Sequence, residues 1–309
     1  WGSPKFLIGE SYGTTRSAGL SGYLQERHGL YLNGIMLISA VLNFQTIEFE
    51  VGNDLMPYVL FLPTYTATAW YHKRLAADLQ AALYNTLEQV EDFALNEYAV
   101  ALFKGDSLPI DKRQEIVQKL ARFTGLSPEY IERTDLRLEI FRFTKELLRV
   151  QHRTVGRLDS RFTGVDRDSA GEHFEADPSY DAIQGPYTAT LNEYVRTELN
   201  FASDLPYEIL ANLYQTWSYA SHENKYVDVA NTLRRAIHMN PYLKVHVANG
   251  YFDLATPYFA TEYVFNTLGL DPSLRNNISM SYYEAGHMMY VHEPSLARLK
   301  EELTKFINQ

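Results

Sequence analysis

Residues 4–8, Pro4-Lys5-Phe6-Leu7-Ile8, form a short apolar run that predicts a buried strand. The glycine turn Gly9-Glu10-Ser11-Tyr12-Gly13 follows, 14–28 read as a helix, and the apolar stretch 34–40 reads as a second strand. Strand, tight turn, helix, strand is a βαβ unit and implies a parallel sheet. From 58 to 239 the period becomes helical. Helices are predicted over 66–102, over 111–124 with Ile116, Val117 and Leu120 apolar, and over 135–150 with Leu136, Ile140, Phe143 and Leu147 on one face. Ser127-Pro128 is a helix start, with an N-cap serine and a first-turn proline. The stretch 153–185 is rich in Asp, Glu, Gly and Ser and predicts a long surface loop. Strand patterns return at 244–250 and 277–283, with a helix over 257–270 between them. An amphipathic helix over 294–307 closes the chain, with Leu296, Leu299, Leu303 and Phe306 inward. There is no internal repeat. The pattern divides the chain into an α/β core, 1–57 and 240–309, and a helical cap or insertion, 58–239.

Composition narrows the function classes. At 309 residues and 46% hydrophobic content the chain can bury a sizeable core. A net charge of −10 disfavours electrostatic capture of nucleic acid or of an anionic membrane surface. The longest apolar runs, 35–42 and 58–62, are strand-sized and far from the roughly 18 residues of a membrane span. With no cysteine, disulfides, thiolate zinc sites and a cysteine nucleophile are all excluded, and the compartment stays open.

The nine histidines include no H-E-x-x-H pattern, so a zinc hydrolase has little support. Asp166, Asp168, Gly171, Glu172 and Asp177 only loosely follow a calcium loop, because Ala170 occupies a ligand position and Asp177 stands where a bidentate glutamate is needed. A solvated acidic loop is the expectation, with no metal. His246 is expected as a satisfied core histidine. The aromatic groups Tyr65, Trp70, Tyr71 and Tyr214, Trp217, Tyr219 either line a pocket for an apolar side chain or fill the cap's own core, and the core is the expectation. The sequon Asn277-Ile278-Ser279 falls in a predicted strand where a glycan does not fit.

Gly9-Glu10-Ser11-Tyr12-Gly13 fits G-x-S-x-G between a strand and a helix, the setting of a nucleophile elbow. The serine is expected on a strained turn where a Cβ two residues to either side would collide with neighbouring backbone. Asp253 follows the strand ending at Gly250, and His287 follows the strand ending at Tyr283. In an open parallel sheet such strand ends share one edge, so three distant loops converge on one pocket. The chain order Ser, Asp, His is that of an α/β-hydrolase fold. In that arrangement His287 takes the Ser11 proton while Asp253 orients the ring and favours the imidazolium.

Three segments resemble those of the serine carboxypeptidases, in a divergent bacterial form. Gly9-Glu10-Ser11-Tyr12-Gly13 is similar to their nucleophile segment, Asn249-Gly250-Tyr251-Phe252-Asp253-Leu254-Ala255-Thr256-Pro257 to their aspartate segment, and Ala285-Gly286-His287-Met288 to their histidine segment. With a helical insertion between the first two, the resemblance runs from Phe6 to about Leu299. It implies Ser11 as nucleophile, Asp253 as orienting acid, His287 as general base, and Glu10 as the residue that binds the substrate's C-terminal carboxylate through a shared proton. It also implies a peptide substrate with a free C-terminal carboxylate, a secreted or periplasmic location and no cofactor.

The chain departs from that pattern at its start. Only ten residues precede Ser11, and Trp1 opens directly onto the first strand with neither leader nor initiator Met, as a cut end would. The family's Asn-Gly-Gly segment is not found, so Tyr12 N–H is the single oxyanion donor in view. Loss of one such donor costs about 2.7–4 kcal/mol in the transition state. The strand at 6–8 is expected to lack a neighbour on one side and to present an exposed apolar edge. The expectation is therefore the C-terminal portion of a larger enzyme, whose own N-terminal portion is disordered, proteolysed or a separate chain. An esterase or acyltransferase on the same fold, and an inactive fragment lacking part of the oxyanion hole, are the alternatives.

Overall fold

A computed structural model describes residues 2–49, 54–211 and 213–308, with nothing described of the Tyr214 side chain; Trp1 and Tyr214 of the readings above thus lie outside what is described. The protein is α/β. Four strands, β1 (Phe6–Glu10), β2 (Gly34–Ile38), β5 (Lys244–Gly250) and β6 (Ile278–Tyr283), form a sheet in the order β1-β2-β5-β6, parallel throughout. Two short strands, β3 (Thr154–Val155) and β4 (Thr163–Gly164), make a separate antiparallel ribbon.

Helices cover both faces of the sheet, because its strands alternate between two apolar sets. Ile35 and Leu37 of β2 and Val245 and Val247 of β5 pack under α1 (Tyr12–His28), α10 (Ala230–Met239) and α11 (Tyr258–Asn266). Ile38 and Ala248 point to the opposite face and meet Leu299 of α12 (Glu293–Ile307). His246, on that second face, is buried with Nδ1 and Nε2 placed against the hydroxyls of Ser279 and Ser281 at 2.9 and 3.1 Å. Asn277 is also buried, and its amide is engaged by Lys244 and by the Pro241 carbonyl.

A second core belongs to the helical block that follows β2: α2 (Met56–Tyr71), α3 (Ala77–Gln80), α4 (Leu83–Phe93), α5 (Ala99–Lys104), α6 (Ile110–Thr124), α7 (Pro128–Arg133) and α8 (Ile140–Glu146). Tyr65 stacks on Phe143 with ring centroids 4.1 Å apart and donates its hydroxyl to the Leu138 carbonyl at 3.1 Å. Phe252, Leu254 and Tyr258 join this core from the sheet side, so helical block and sheet share buried surface.

Several expectations are corrected. The helix predicted over 66–102 stops at Tyr71, where Lys73 takes a positive φ of 57°, and resumes in pieces. The helix predicted over 135–150 is regular only in α8; Leu136 is buried but lies in a turn with φ 63°. Leu296 is exposed, whereas Leu299 and Phe306 are buried. Trp217 and Tyr219 are both exposed and do not fill a core: Trp217 packs edge-on against Tyr12 and beneath Arg16.

The largest correction concerns the two ends of the stretch 153–185, whose middle, 165–176, is the mostly exposed loop expected. Its beginning is buried, with Thr154, Val155, Asp159 and Ser160 all nearly inaccessible, and its end opens α9 (Pro178–Thr197). The acidic residues are not solvated as a group either. Asp166 forms a buried ion pair with Lys145, whose ammonium also donates to the Asp168 carbonyl at 3.1 Å. Asp177 caps α9 through Ser179 N–H.

Strand β1 is the sheet edge among the described residues. It pairs only with β2, and Ile8 at its centre is 59% exposed.

Candidate functional site

One rung crosses the whole sheet at its carboxyl end: Glu10 pairs with Ile38, Ile38 with Ala248, and Ala248 with Ser281. β1 and β2 end at this rung, β5 and β6 run on for two more paired residues, and the side chains singled out in the sequence lie on the turns that follow.

Ser11 separates β1 from α1 with φ 55° and ψ −126°, a positive-φ backbone conformation that a non-glycine residue adopts only when its surroundings hold it. The holding contacts are explicit. Ser11 N–H donates to the Ile38 carbonyl at 3.0 Å, and the Ser11 carbonyl accepts from Thr14 N–H at 2.9 Å and Thr14 Oγ1 at 2.6 Å. Because its own N–H is used within the sheet, Ser11 offers only its hydroxyl. Tyr12 is the first residue of α1, and its N–H has no partner within the helix.

The two glycines of the elbow are not equivalent. A Cβ on Gly9 would run into the Gly13 carbonyl and approach Ser17 Oγ to 2.7 Å, whereas a Cβ on Gly13 meets nothing within 4 Å. The expected collision is therefore real for Gly9 and absent for Gly13. Gly9→Ala should cost about 3 kcal/mol, since the obstacle is backbone and cannot swing away. Gly13→Ala should be neutral or stabilise α1 by up to about 1 kcal/mol. Urea unfolding of both variants measures the contrast.

Asp253 is fully buried and accepts four hydrogen bonds: Ala255 N–H at 2.8 Å and Thr256 N–H at 2.9 Å on Oδ1, Thr256 Oγ1 at 2.7 Å and His287 Nδ1 at 2.8 Å on Oδ2. A carboxylate can only accept, so His287 Nδ1 carries the proton and Nε2 is the free acceptor. Burial opposes protonation of His287, but the charge and hydrogen bond of Asp253, helped by Glu10, outweigh it and hold the pKa above the usual histidine value; Arg157 pulls it down.

Glu10, Ser11, Tyr12 and His287 line one cavity of about 960 Å³. Among the described residues no hydrogen bond joins Ser11 Oγ to the His287 ring. Such contacts are often loose without substrate. Glu10 accepts from the Tyr290 hydroxyl at 3.2 Å. Its pKa is raised by burial, against the opposing effects of His287 and the Tyr290 hydrogen bond. The remaining wall is apolar and tyrosine-rich, with Phe44, Ile183, Tyr187 and Tyr194 among its residues, so α9 forms one side of the cavity and Tyr219 lines it as well.

The sequence reading missed the segment 157–161, which threads between the aspartate and histidine loops. Leu254 N–H donates to the Arg157 carbonyl at 3.1 Å, His287 N–H to the Leu158 carbonyl at 2.7 Å, and Ser160 N–H to the Phe252 carbonyl at 3.0 Å. Asp159 accepts Gly286 N–H at 3.2 Å and is held by Arg161 at 2.7 Å, while Arg161 also donates to the Glu284 carbonyl at 2.8 Å. The fit is close enough that a Cβ on Gly286 would come within 2.6 Å of Asp159 Cα. No local pattern marks this segment. Thr256 did carry a signal, since a residue three after an aspartate at a turn commonly donates back to it.

No group of three or more His, Asp or Glu side chains is arranged to hold a metal ion among the described residues. In comparisons with protein-family models, curated proteins and solved structures, nothing matches this chain.

Proposed function

We propose that the chain carries a serine acyl-transfer centre on an α/β-hydrolase fold and acts as a serine-type carboxypeptidase. The observation that carries the reading is a serine on a strained strand-to-helix turn, sharing a cavity with a histidine whose far ring nitrogen is fixed 2.8 Å from a fully buried aspartate. In this reading Ser11 Oγ attacks the scissile carbonyl as His287 Nε2 takes its proton. The imidazolium is stabilised by Asp253 and then gives that proton to the leaving amine. Tyr12 N–H faces the oxyanion. Water, deprotonated by His287, releases the acyl group.

Glu10 supports the carboxypeptidase form of this chemistry. Burial keeps it protonated to higher pH than a free glutamate, and a protonated carboxyl donates a hydrogen bond to a substrate carboxylate. The apolar wall favours an esterase or acyltransferase as the second reading, because it suits any apolar acyl group.

Glu10→Gln distinguishes the two. In a carboxypeptidase this variant loses activity on free-carboxylate peptides while an acyl ester is still cleaved. The pH profile gives a second readout. His287 acts as a base only when neutral, so the rate falls as pH drops through its raised pKa, beginning at higher pH than for an ordinary histidine. Removing the Glu10 charge removes one of the causes of that raised value, so the acid limb should move to lower pH. An ester pH–rate profile identical in wild type and Glu10→Gln would rule out the coupling. Failure of a fluorophosphonate to label Ser11, read by intact-mass spectrometry, would sink the acyl-transfer reading.

A further inference from the structure

Arg157 is the only lysine or arginine on the wall of the Ser11 cavity among the described residues. Its backbone is fixed on both sides: its N–H donates to Asp177 Oδ1 at 3.1 Å and its carbonyl accepts from Leu254 N–H. Its guanidinium is half-buried and has no ion pair or hydrogen bond among the described residues.

No acid nearby forms an ion pair with it among the described residues. Glu48, Glu139 and Asp177 line a second cavity of about 430 Å³ that shares Arg157, Leu158, Tyr180 and Ala255 with the first. Asp177 is occupied by the N–H groups of Arg157, Leu158 and Ser179, and Glu139 by those of Phe141 and Arg142. Arg161 and Lys145, on the same return segment and its neighbour helix, are by contrast paired with Asp159 and Asp166. A half-buried arginine with no ion-pair partner is an open anion receptor, and its planar fork matches a carboxylate with two parallel hydrogen bonds.

We propose that Arg157 binds a carboxylate of the substrate and is the charge-selecting residue of this cavity. The inference rests on the reading of the Ser11 cavity as the substrate site, and it adds a permanent positive charge to the hydrogen bond that Glu10 offers. A tyrosine-rich wall carrying a single guanidinium fits an aromatic or large apolar residue bearing a free carboxylate. That carboxylate is either the chain's C-terminal group or an acidic side chain, and the two sources are separable.

Calorimetric binding to the full chain tests this without requiring turnover. The probes are N-acetylphenylalanine, its amide, and N-acetylglutamate α-amide, measured against wild type, Arg157→Gln and Arg157→Lys. In wild type, N-acetylphenylalanine should bind about 10- to 100-fold tighter than its amide, the range expected of a charge-assisted hydrogen bond. Arg157→Gln should bring that ratio close to one, and Arg157→Lys should restore part of it by returning the charge without the fork. Tight binding of N-acetylglutamate α-amide would assign the preference to a side-chain carboxylate; weak binding assigns it to the C-terminal one.

Equal binding of acid and amide in wild type, or a ratio unchanged by Arg157→Gln, overturns the proposal. A Ser11 that resists fluorophosphonate while the acid-to-amide ratio holds would instead remove the acyl-transfer reading and leave Arg157 as a carboxylate receptor.

Discussion

Asp253→Asn should lower ester hydrolysis by about four orders of magnitude, while the protein remains folded. The reason lies in the four donors converging on this side chain. Asn offers one acceptor oxygen. If that oxygen keeps the Ala255 and Thr256 N–H groups, the amide NH₂ is turned toward His287 Nδ1, which must then accept. The ring is left in the tautomer with its proton on Nε2, where it cannot take a proton from Ser11. Ser11→Ala should remove fluorophosphonate labelling entirely and reduce hydrolysis to a comparable or lower level. Steady-state rates for wild type and both variants, with circular dichroism to confirm folding, provide the measurement. An Asp253→Asn variant within tenfold of wild type would show that the His287–Asp253 contact is structural only.

The largest effect on stability is expected at Lys145. Its ammonium and the Asp166 carboxylate are almost completely buried, with side-chain exposures of 4% and 6%. Lys145→Met leaves Asp166 buried with no cation, retaining only its bond from Glu175 N–H at 3.0 Å. Breaking one side of such a pair costs about 3–5 kcal/mol, because the remaining charge keeps its desolvation penalty. The double variant Lys145→Met/Asp166→Leu should recover most of that loss, since an apolar pair of similar volume carries no such penalty. Denaturant unfolding of the single and double variants checks both statements. Equal stability of Lys145→Met and wild type would mean that Asp166 reaches water in solution.

The parallel sheet was legible because its strands are apolar on both faces and bounded by turn residues. Strand β5 runs over the same residues that the pattern predicts, and α1 and α6 differ from prediction by a residue or two at their starts. The carboxyl-end positions of Ser11, Asp253 and His287 could be read from the same pattern, since each directly follows a strand. The breaks in the helical block were not legible. The turn after α2 has neither proline nor glycine to mark it and is held by a distant exchange, Trp70 Nε1 to the Gln80 carbonyl and Gln80 Nε2 to the Trp70 carbonyl.

Polarity misled most at 153–185. A polar stretch implies exposure only when its groups need water, and here they satisfy one another: Asp159 with Arg161 and Gly286, Lys145 with Asp166, Asp177 with three backbone N–H groups. That pairing depends on residues far apart in the chain, so no local window could report it.

The segment 157–161 gives the helical block a different standing from that of a removable lid. The chain leaves the sheet after β2, builds the block, and on its way back supplies the carbonyls that hold Leu254 and His287 and the carboxylate that holds Gly286. A shorter ancestor or an engineered truncation that spliced β2 directly to α10 would keep every strand of the parallel sheet yet lose the wedge that spaces the aspartate loop from the histidine loop. Change along the return path therefore reaches both loops directly, whereas change in α6 or α7 reaches them only through the shared core. The insertion behaves as part of the frame of the site, so its size can drift only while its exit stays in place.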